Sequence, residues 1–555
     1  MTGLSTTDLP GENAAPTLGA AALAEVAEFG EEHPVHAGDI LFRAGDVSFD
    51  FFVVLSGRAE VVRPDFDGEA VIATFGAGAF LGELNLLTGQ RPYLTARVIE
   101  DGRVLHVARD DFRRLMSAKP DIADLIFNTF SARRELLRQG DGARAIRIVG
   151  SRYSPEALAL RAFATRSHLP HEWIDLEDVQ DPDVLLAGMG LRPPDTPAVI
   201  TSTARLRHTT PGEFAQSLGL TFRPVPGTLF DLVVVGTGPA GLASSVYGAS
   251  EGLNTLCLDA VAVGGQAGAS SRIENYAGFP SGISGEDLAS RTAIQAQRLG
   301  ARLNAPCEAT GLRPEHGFHV ITLADGSEIP CRAVIVASGA RYRRLEVDDL
   351  ERFEGAGVYY AATDLESRIC TGSEVIVAGG GNSAGQAAIY LGQQGCGVVI
   401  AIRRDDLSST MSRYLIERIV ANPGIKVLAN TEVRAVAGRG HLENVTLEHT
   451  PTHTSKTVAC KGLFCFIGAE PATSWLEESV ALDSRGFILT DRDLFEGDNA
   501  AVPFAGRDPL PFETSTMGVF AAGDVRHGSL KRVAAAVGEG SSAVRSVHEH
   551  LAAST

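Results

Sequence analysis

The stretch that most constrains this chain runs from residue 230 to residue 241 and reads FDLVVVGTGPAG. Its β-branched run predicts a buried parallel strand. The glycines Gly236, Gly238 and Gly241 let the backbone turn tightly and admit a pyrophosphate at the start of the next helix. A second apolar run ends at Asp259, 23 residues after Gly236, where a carboxylate would meet a ribose hydroxyl. The pattern predicts a dinucleotide site, and the alternative is a βαβ turn that binds nothing.

Length, composition and charge limit the classes of protein to which this chain can belong. A chain of 555 residues has room for three or four domains of about 150 residues each. Its hydrophobic residues occur in runs far shorter than the ~18 that a membrane helix needs, so we expect a soluble protein without membrane contact. No Lys or Arg precedes Arg43, which argues against a secretory signal and favours the cytoplasm. The net charge of −19 disfavours nucleic acid as a partner.

The cysteine pattern also favours the cytoplasm. The seven cysteines are scattered, odd in number and contain no C-x-x-C spacing. We therefore expect a reducing compartment, no disulfide framework and no metal site.

The first part of the chain predicts a β domain. Residues 1–20 lack a helix or strand period and are expected to form a mobile tail. Residues 21–138 begin with short apolar runs separated by turns, which predict a β jelly roll, and end in a helical pattern. The stretches FLGELNLL at 80–87 and TARV at 95–98 resemble the cyclic nucleotide-binding family, a jelly roll closed by helices.

The resemblance implies an effector site. In that family a Gly-Glu pair opens a short helix whose N–H groups meet the cyclic phosphate, and the Glu takes the ribose hydroxyl. An arginine normally precedes the Thr-Ala pair, and Leu94 stands there in this chain; Arg91 is the substitute we consider, whereas Arg97 should point away. The site residues are then Gly82, Glu83, Leu84, Arg91, Thr95 and Ala96. Two interpretations stay open: a working site, for this or another nucleotide, or a degenerate module that only packs.

Residues 143–221 form a second predicted module. Their alternation of strands and helices resembles the thioredoxin and glutaredoxin fold. Ser154 and Ala157 stand where that family carries its dithiol, and Thr196-Pro197 matches its cis-proline. Without sulfur there the module cannot exchange disulfides, because that reaction needs a thiolate. We interpret it as an adaptor that either docks a partner or only couples its neighbours.

From residue 228 onward the chain resembles the low-molecular-weight thioredoxin reductases, in which two Rossmann-like domains are nested. The matching stretches include GGQ at 264–266, IENYAGFP at 273–280 and GVFAAGD at 518–524. The resemblance implies an FAD domain at 228–345 and 475–555 and an NADPH domain at 346–474. The implied FAD residues are Gly236, Gly238, Pro239, Ala240, Gly241, Asp259, Gly265, Gln266, Asn275, Gly523, Asp524, Arg532, Val533 and Ala534.

A second glycine turn follows the apolar run EVIVA at 374–378. Two arginines end the next strand, where an NAD site would present a carboxylate, and guanidinium groups suit the 2′-phosphate of NADPH. The alternative is that both arginines are merely solvated. The residues implied for NADPH are Gly379, Gly381, Asn382, Ser383, Ala384, Arg403 and Arg404.

One departure from the reductases concerns the catalytic dithiol. Where that family carries C-A-T-C, this chain has Ala361 and Asp364 at the two cysteine positions. Cys370 lies six residues beyond Asp364 without a nearby cysteine, so we assign it no role at the flavin. No residue is therefore assigned as catalytic.

The whole chain is thus expected to be multidomain: a β jelly roll with helices, a thioredoxin-like α/β module and two nested Rossmann-like domains. The first functional hypothesis is an FAD-dependent NADPH oxidoreductase with a small-molecule or protein electron acceptor, gated by a cyclic nucleotide. The alternatives are a nucleotide- and redox-sensing flavoprotein with little turnover, or a reductase of a partner's disulfide. A homodimer is usual in the resembling family.

Overall fold

The computed structural model describes residues 4–5, 16–65, 68–82, 86, 90–139, 145–167, 169–221, 227–270, 272–362, 364–476, 479–495 and 507–553. The chain forms two compact units, Met1–Phe222 and Arg223–Thr555. Within the described part, every helix is too short or too polar to cross a membrane.

The first unit opens with a β roll whose strands are β1 Leu4–Ser5, β2 Glu31–Val35, β3 Ile40–Phe42, β4 Phe51–Asp65, β5 Gly68–Phe75, β6 Phe80–Leu81 and β7 Thr95–Val107. The strands lie in the order β1-β5-β4-β7-β2, with β3 beside β7 and β6 beside β4. Its helices are α1 Ala20–Ala27, α2 Arg109–Ala118 and α3 Pro120–Gln139. Phe51 stacks on Phe112 with ring centroids 4.9 Å apart, so the helices close the roll by covering its aromatic interior. The predicted jelly roll with helices is confirmed.

The structure differs from the predicted tail at the two ends of residues 1–20. Leu4 and Ser5 pair with Ala73 and Thr74 of β5, and the buried Leu18 donates its N–H to the Gly78 carbonyl, 2.8 Å away. Both segments are held by backbone partners far along the chain, which periodicity within so short a segment cannot reveal. Residues 6–15 lie outside the described residues.

The second half of this unit is a four-stranded sheet with three helices. Its strands are β8 Ile146–Gly150, β9 His171–Asp175, β10 Ala198–Thr201 and β11 Arg205–Arg207, and its helices are α4 Pro155–Arg166, α5 Pro182–Gly188 and α6 Pro211–Ser217. The strands lie in the order β11-β10-β8-β9. Ser154 caps α4, since its hydroxyl oxygen accepts from the Ala157 N–H at 3.1 Å. The Thr196–Pro197 bond is cis, as predicted.

The second unit contains the remaining elements. Its strands are β12 Phe230–Val235, β13 Thr255–Leu258, β14 Arg302–Asn304, β15 Ala309–Glu315, β16 Phe318–Leu323, β17 Glu328–Val336, β18 Ala340–Tyr342, β19 Val358–Tyr359, β20 Glu374–Ala378, β21 Gly397–Ala401, β22 Ile425–Leu428, β23 Thr431–Ala437, β24 Asn444–His449, β25 Thr454–Ala459, β26 Gly462–Cys465, β27 Ala469–Pro471 and β28 Val519–Ala521. Its helices are α7 Pro239–Ser250, α8 Gly285–Arg298, α9 Asp364–Cys370, α10 Asn382–Gln393, α11 Arg413–Val420 and α12 Val533–Ala553.

Two sheets in this unit each have a glycine turn after a central strand, β12 in the first and β20 in the second; the second sheet is parallel, whereas in the first β16 pairs antiparallel with both β15 and β17. The first has the order β14-β13-β12-β17-β16-β15, with β28 beside β17, and the second β19-β26-β20-β21-β22. The short pair β18–β27 lies where the chain leaves the first domain and returns to it, and β23–β25 form a separate three-stranded sheet. Because β28 and α12 rejoin the first sheet after the second is complete, the nested Rossmann-like arrangement is confirmed.

Candidate functional site

The turn after β12 is built so that side chains are excluded from it. Gly236 has φ +111°, and an added Cβ would lie 2.2 Å from the Ala337 carbonyl oxygen. At Gly241 an added Cβ would lie 1.8 Å from the Gly236 carbonyl oxygen. Gly238, the N-cap of α7, is open by contrast, with its nearest neighbour, Gly265 Cα, 4.0 Å from an added Cβ. The start of α7 therefore presents free backbone N–H groups to a cleft.

This cleft brings together nearly all the residues predicted for FAD. It spans about 1160 Å³, counting the part open to solvent. Gly241 and Ala534 are not among its lining residues, and the other predicted FAD residues are. Gln266 donates its amide to the Ala340 carbonyl, which ties the two walls together. The predicted residues that line the cleft are Gly236, Gly238, Pro239, Ala240, Asp259, Gly265, Gln266, Asn275, Gly523, Asp524, Arg532 and Val533.

Asp259 lines the cleft, yet its carboxylate is already engaged. One oxygen accepts from the N–H and the hydroxyl of Thr237 at 2.9 and 2.7 Å. The other accepts from the N–H groups of Val261 and Ala262 at 3.0 and 3.2 Å. A carboxylate offers about four lone-pair positions, so this network fills them. In this structure Asp259 holds the turn in shape, and its predicted contact with a ribose hydroxyl stays a prediction.

The loop after β28 carries Asp524 to the opposite wall. The partly buried Glu539 of α12 fixes this loop: its carboxylate accepts from the Gly523 N–H at 2.7 Å and pairs with Arg526 at 3.1 Å. Burial raises the pKa of the Asp524 carboxyl, while the Lys531 ammonium lowers it. Neither Glu539 nor Lys531 was predicted, because a carboxylate inside a helical sequence gives no local sign of the loop it supports.

Replacing Glu539 by alanine should weaken flavin binding by about tenfold or more. The substitution removes a charge-assisted hydrogen bond to Gly523 and leaves the half-buried Arg526 without its carboxylate, an effect of about 1.5–3 kcal/mol. Flavin release in dilution or ultrafiltration measures the change. Glu549→Ala is the matched control on the same helix, because Glu549 makes only a surface pair with Arg545. Equal flavin retention in both variants would contradict the role given to Glu539.

The second glycine turn, at residues 379–381, opens onto the same cleft. Gly379 has φ +130°, with an added Cβ 2.2 Å from the Phe466 carbonyl oxygen, whereas Gly381, the N-cap of α10, has open space around it. Asn382 and Ser383 in the first turn of α10 line the cleft that holds the predicted FAD residues. Ala384 is fully buried and packs α10 on its sheet.

Two further contacts hold the second domain against this cleft. Tyr414 of α11 lines it, and sequence reasoning missed this residue because a tyrosine in an amphipathic helix resembles any other surface residue. Arg418 donates to both carboxylate oxygens of Glu274 at 3.1 and 3.0 Å. The starts of α10 and α11 therefore lie at the cleft that is lined by the predicted FAD residues.

Arg403 and Arg404 follow β21 after the single residue Ile402 and are exposed. Arg404 donates to the Ser409 hydroxyl at 2.9 Å. Their position at the carboxyl end of a parallel strand is where a dinucleotide ribose is bound in this type of fold.

Sulfur is absent from the described lining of the cleft. Ala361 is half-buried just after β19, and Asp364 begins α9, although its side chain lies outside the described residues. Cys370 is buried in the core of the second domain, against Gly462, where an added Cβ would lie 2.7 Å from its Sγ. Burial raises the pKa of the Cys370 thiol to about 12, so it stays protonated and unreactive.

The predicted nucleotide site of the first unit is described in part. Gly82 is buried with φ +150° beside Leu86 and Phe130, while Glu83 and Leu84 lie outside the described residues. Thr95 and Ala96 are buried, and the Thr95 hydroxyl accepts from the Ala44 N–H at 3.1 Å.

The two arginines weighed for this site lie at different places. Arg91 packs against Gly219, and its N–H donates to the Leu218 carbonyl at 3.2 Å. Arg97 pairs with Glu60 and Glu69 on the outer face of the roll, at 2.7 and 2.5 Å. Arg97 thus points away from the interior, as predicted.

Two glycine turns opening on one cleft define a class of protein, the oxidoreductases that carry two dinucleotide-binding domains. Residues 230–540 match the family described as pyridine nucleotide-disulphide oxidoreductase, and the chain belongs to that family. Residues 32–119 match the cyclic nucleotide-binding domain.

Among its relatives, the chain is 33% identical to the thioredoxin reductase of Treponema pallidum over 324 residues, which cover 58% of this chain and 98% of that protein. It is 29% identical over 321 residues to a 34.2 kDa protein in the rubredoxin operon of Clostridium pasteurianum, covering 58% and 97%. The crystal structure of T. acidophilum thioredoxin reductase matches with a TM-score of 0.52 at 28% identity, covering 58% and 99%. The body is thioredoxin reductase-like, and a cyclic nucleotide-binding domain precedes it.

Proposed function

We propose that the second unit binds FAD and NADPH, oxidises NADPH and passes the electrons to an acceptor outside the chain. The observation that carries this proposal is the shared cleft: Asn382 and Ser383 of the second glycine turn line it together with Gly238, Gln266 and Asp524 of the first domain. A nicotinamide nucleotide bound at the start of α10 would then lie beside a flavin bound at the start of α7.

The residues on the flavin side fit FAD in shape and in polarity. Gly238 leaves the start of α7 open, so its N–H groups can bind a pyrophosphate. Arg532, Val533 and Ala534 surround the start of α12, whose first N–H groups have no partner within the helix and would stabilise negative charge at the flavin edge. Asp524 would bind the ribityl chain. Bound FAD supplies hydride acceptance and two-electron redox chemistry that no amino-acid side chain offers.

We propose that the overall reaction is NADPH + H⁺ + A → NADP⁺ + AH₂, where A is a two-electron acceptor. The absence of sulfur from the described lining of the cleft, with Ala361 and Asp364 at the family's cysteine positions, supports an acceptor other than an internal dithiol. Quinones, oxygen, a redox protein and a partner's disulfide are all candidates. The net charge of −19 disfavours an acidic ferredoxin.

The two arginines after β21 are proposed to select NADPH over NADH. Changing both Arg403 and Arg404 to alanine should raise KM for NADPH by about tenfold or more and leave KM for NADH nearly unchanged, because only NADPH carries the 2′-phosphate. Steady-state kinetics with both nucleotides measure the ratio. Arg413→Ala is the control, since this exposed arginine pairs with Glu417 on the surface of α11. An unchanged NADPH to NADH ratio in the double variant would contradict the assignment.

We further propose that a cyclic nucleotide bound to residues 21–138 changes the rate of NADPH oxidation. The match to the cyclic nucleotide-binding domain supports an effector of this class. A homodimer in the cytoplasm stays an expectation, which light scattering and fractionation would test.

The test is anaerobic titration of the purified full-length protein with NADPH, followed by turnover with dichlorophenolindophenol or a quinone. Bleaching of the flavin absorbance followed by acceptor turnover is the expected result, and a flavin that stays oxidised would overturn the proposed reaction. Cyclic AMP or cyclic GMP should change the rate; an unchanged rate would remove the gating alone.

Bleaching without turnover on any acceptor would instead favour a redox-sensing protein. A specific feature makes this second function worth testing: Ser154 and Ala157 also replace a dithiol in the thioredoxin-like module. Two sites that lack their sulfur chemistry in one chain are easier to explain if the chain reports redox state than if it reduces disulfides.

A further inference from the structure

Among the described residues that line the cleft with the two glycine turns, Tyr414 of α11 is the only aromatic one. The other described lining residues are small, polar, charged or aliphatic. Tyr414 belongs to the second domain, and 37% of its surface is exposed although it lines the cleft. Its ring is therefore accessible to a molecule that occupies the cleft, and a planar ring is the ligand that an aromatic side chain packs against best.

Two hydrogen bonds fix the segment before α11 to the second glycine turn. The Ser412 N–H donates to the side-chain oxygen of Asn382 at 2.7 Å. The Thr410 hydroxyl donates to the Gly380 carbonyl at 2.8 Å. Asn382 begins α10 and itself lines the cleft, so the backbone that carries Tyr414 has a defined place beside this turn.

An ion pair one turn further along α11 links the same face of this helix to the first domain. Tyr414 and Arg418 are four residues apart, so their side chains lie on one face of the helix. Arg418 donates to both carboxylate oxygens of Glu274 at 3.1 and 3.0 Å. Glu274 lies between Ile273 and Asn275, which both line the cleft. The ion pair therefore holds the face of α11 that carries Tyr414 toward the segment that carries Asn275.

We propose that Tyr414 packs against the ring system of FAD bound in this cleft, and that the pair of Arg418 and Glu274 positions Tyr414 for this contact. Aromatic rings pack in offset-stacked or edge-to-face arrangements, and such a contact keeps water from the faces that meet. Asn275, the neighbour of Glu274, is among the residues predicted for FAD, so α11 lies at the part of the cleft where a flavin is expected. The inference rests on the proposed function and adds a residue of the second domain to the flavin site.

A fluorescence measurement on the full-length protein with its bound flavin tests the contact. A phenol that touches photoexcited flavin quenches the flavin emission by reversible electron transfer. Emission per bound flavin should therefore rise severalfold in Tyr414→Phe, which keeps the ring but removes the easily oxidised phenol, and should stay low in Tyr414→Trp. Tyr247→Phe is the matched control, because Tyr247 is an exposed tyrosine of α7 that lines a neighbouring groove and not this cleft.

A second pair of variants tests the positioning role of the ion pair. Arg418→Gln removes the pair with Glu274 and should raise the emission per bound flavin part of the way toward that of Tyr414→Phe. Arg413→Gln is its control, since it removes only a surface pair with Glu417 on the same helix and should leave the emission unchanged.

The possible outcomes separate the inference from the proposed function. Emission at the wild-type level in Tyr414→Phe, or an equal rise in Tyr247→Phe, would overturn the contact. Emission at the wild-type level in Arg418→Gln would overturn the positioning role alone. A wild-type protein that binds no flavin would overturn the inference together with the proposed function, whereas a bound flavin that NADPH does not bleach would overturn the proposed reaction and leave the contact standing.

Discussion

Replacing Gly241 by alanine is expected to yield a protein that purifies without bound flavin. An added Cβ would lie 1.8 Å from the Gly236 carbonyl oxygen, within the turn that presents α7 to the cleft. Because the obstructing atom is backbone, no side-chain rotation relieves the contact and the turn must open. We expect the flavin absorbance per mole of protein to fall about tenfold or more, which corresponds to at least ~1.4 kcal/mol of binding free energy.

Gly538→Ala is the control for this substitution. Gly538 is exposed on α12, has open space around an added Cβ and does not have a positive φ. Alanine there should keep the flavin and stabilise the helix by up to about 0.5–1 kcal/mol. Full flavin content in Gly241→Ala would show that the turn tolerates opening, and would contradict its assignment to the pyrophosphate.

Electron transfer from NADPH to added thioredoxin is expected to be no faster than the blank without thioredoxin, while a quinone or dichlorophenolindophenol supports turnover. The positions of the family's dithiol hold Ala361 and Asp364, and sulfur is absent from the described lining of the cleft. Without a thiolate there is no internal carrier between the flavin and a thioredoxin disulfide. Comparing NADPH consumption with each acceptor on one protein preparation makes the measurement.

Cys370→Ala provides the control for this comparison. Cys370 is buried, and its raised thiol pKa of about 12 keeps it protonated, so its removal should change neither rate. Rapid thioredoxin reduction that disappears in Cys370→Ala would show that α9 moves this sulfur to the flavin, and would restore a thiol route. Rapid thioredoxin reduction that survives in Cys370→Ala would indicate that a partner disulfide reaches the cleft directly.

The elements near the glycine turns could be predicted because their constraints are local. At Gly236 and Gly379 a positive φ and a crowded backbone admit only glycine, and each glycine follows a continuous apolar run that is visible in the sequence, LVVV in the first case and VIVA in the second. The outward direction of Arg97 could be predicted for the same reason, since side chains alternate along a strand. The tail at residues 1–20 was predicted less well, because pairing with β5 depends on a partner far along the chain.

Sequence alone determined that two dinucleotide turns are present, that one is nested inside the other's domain, and that the dithiol positions hold Ala361 and Asp364. Only the tertiary structure decided that the Asp259 carboxylate accepts its hydrogen bonds from its own turn, and that Glu539 holds the loop of Asp524. The physical reason is the distance along the chain over which each feature is determined. Backbone conformation and periodicity are set within a few residues, whereas the partner of a buried charge is set by packing between segments that lie far apart in the chain.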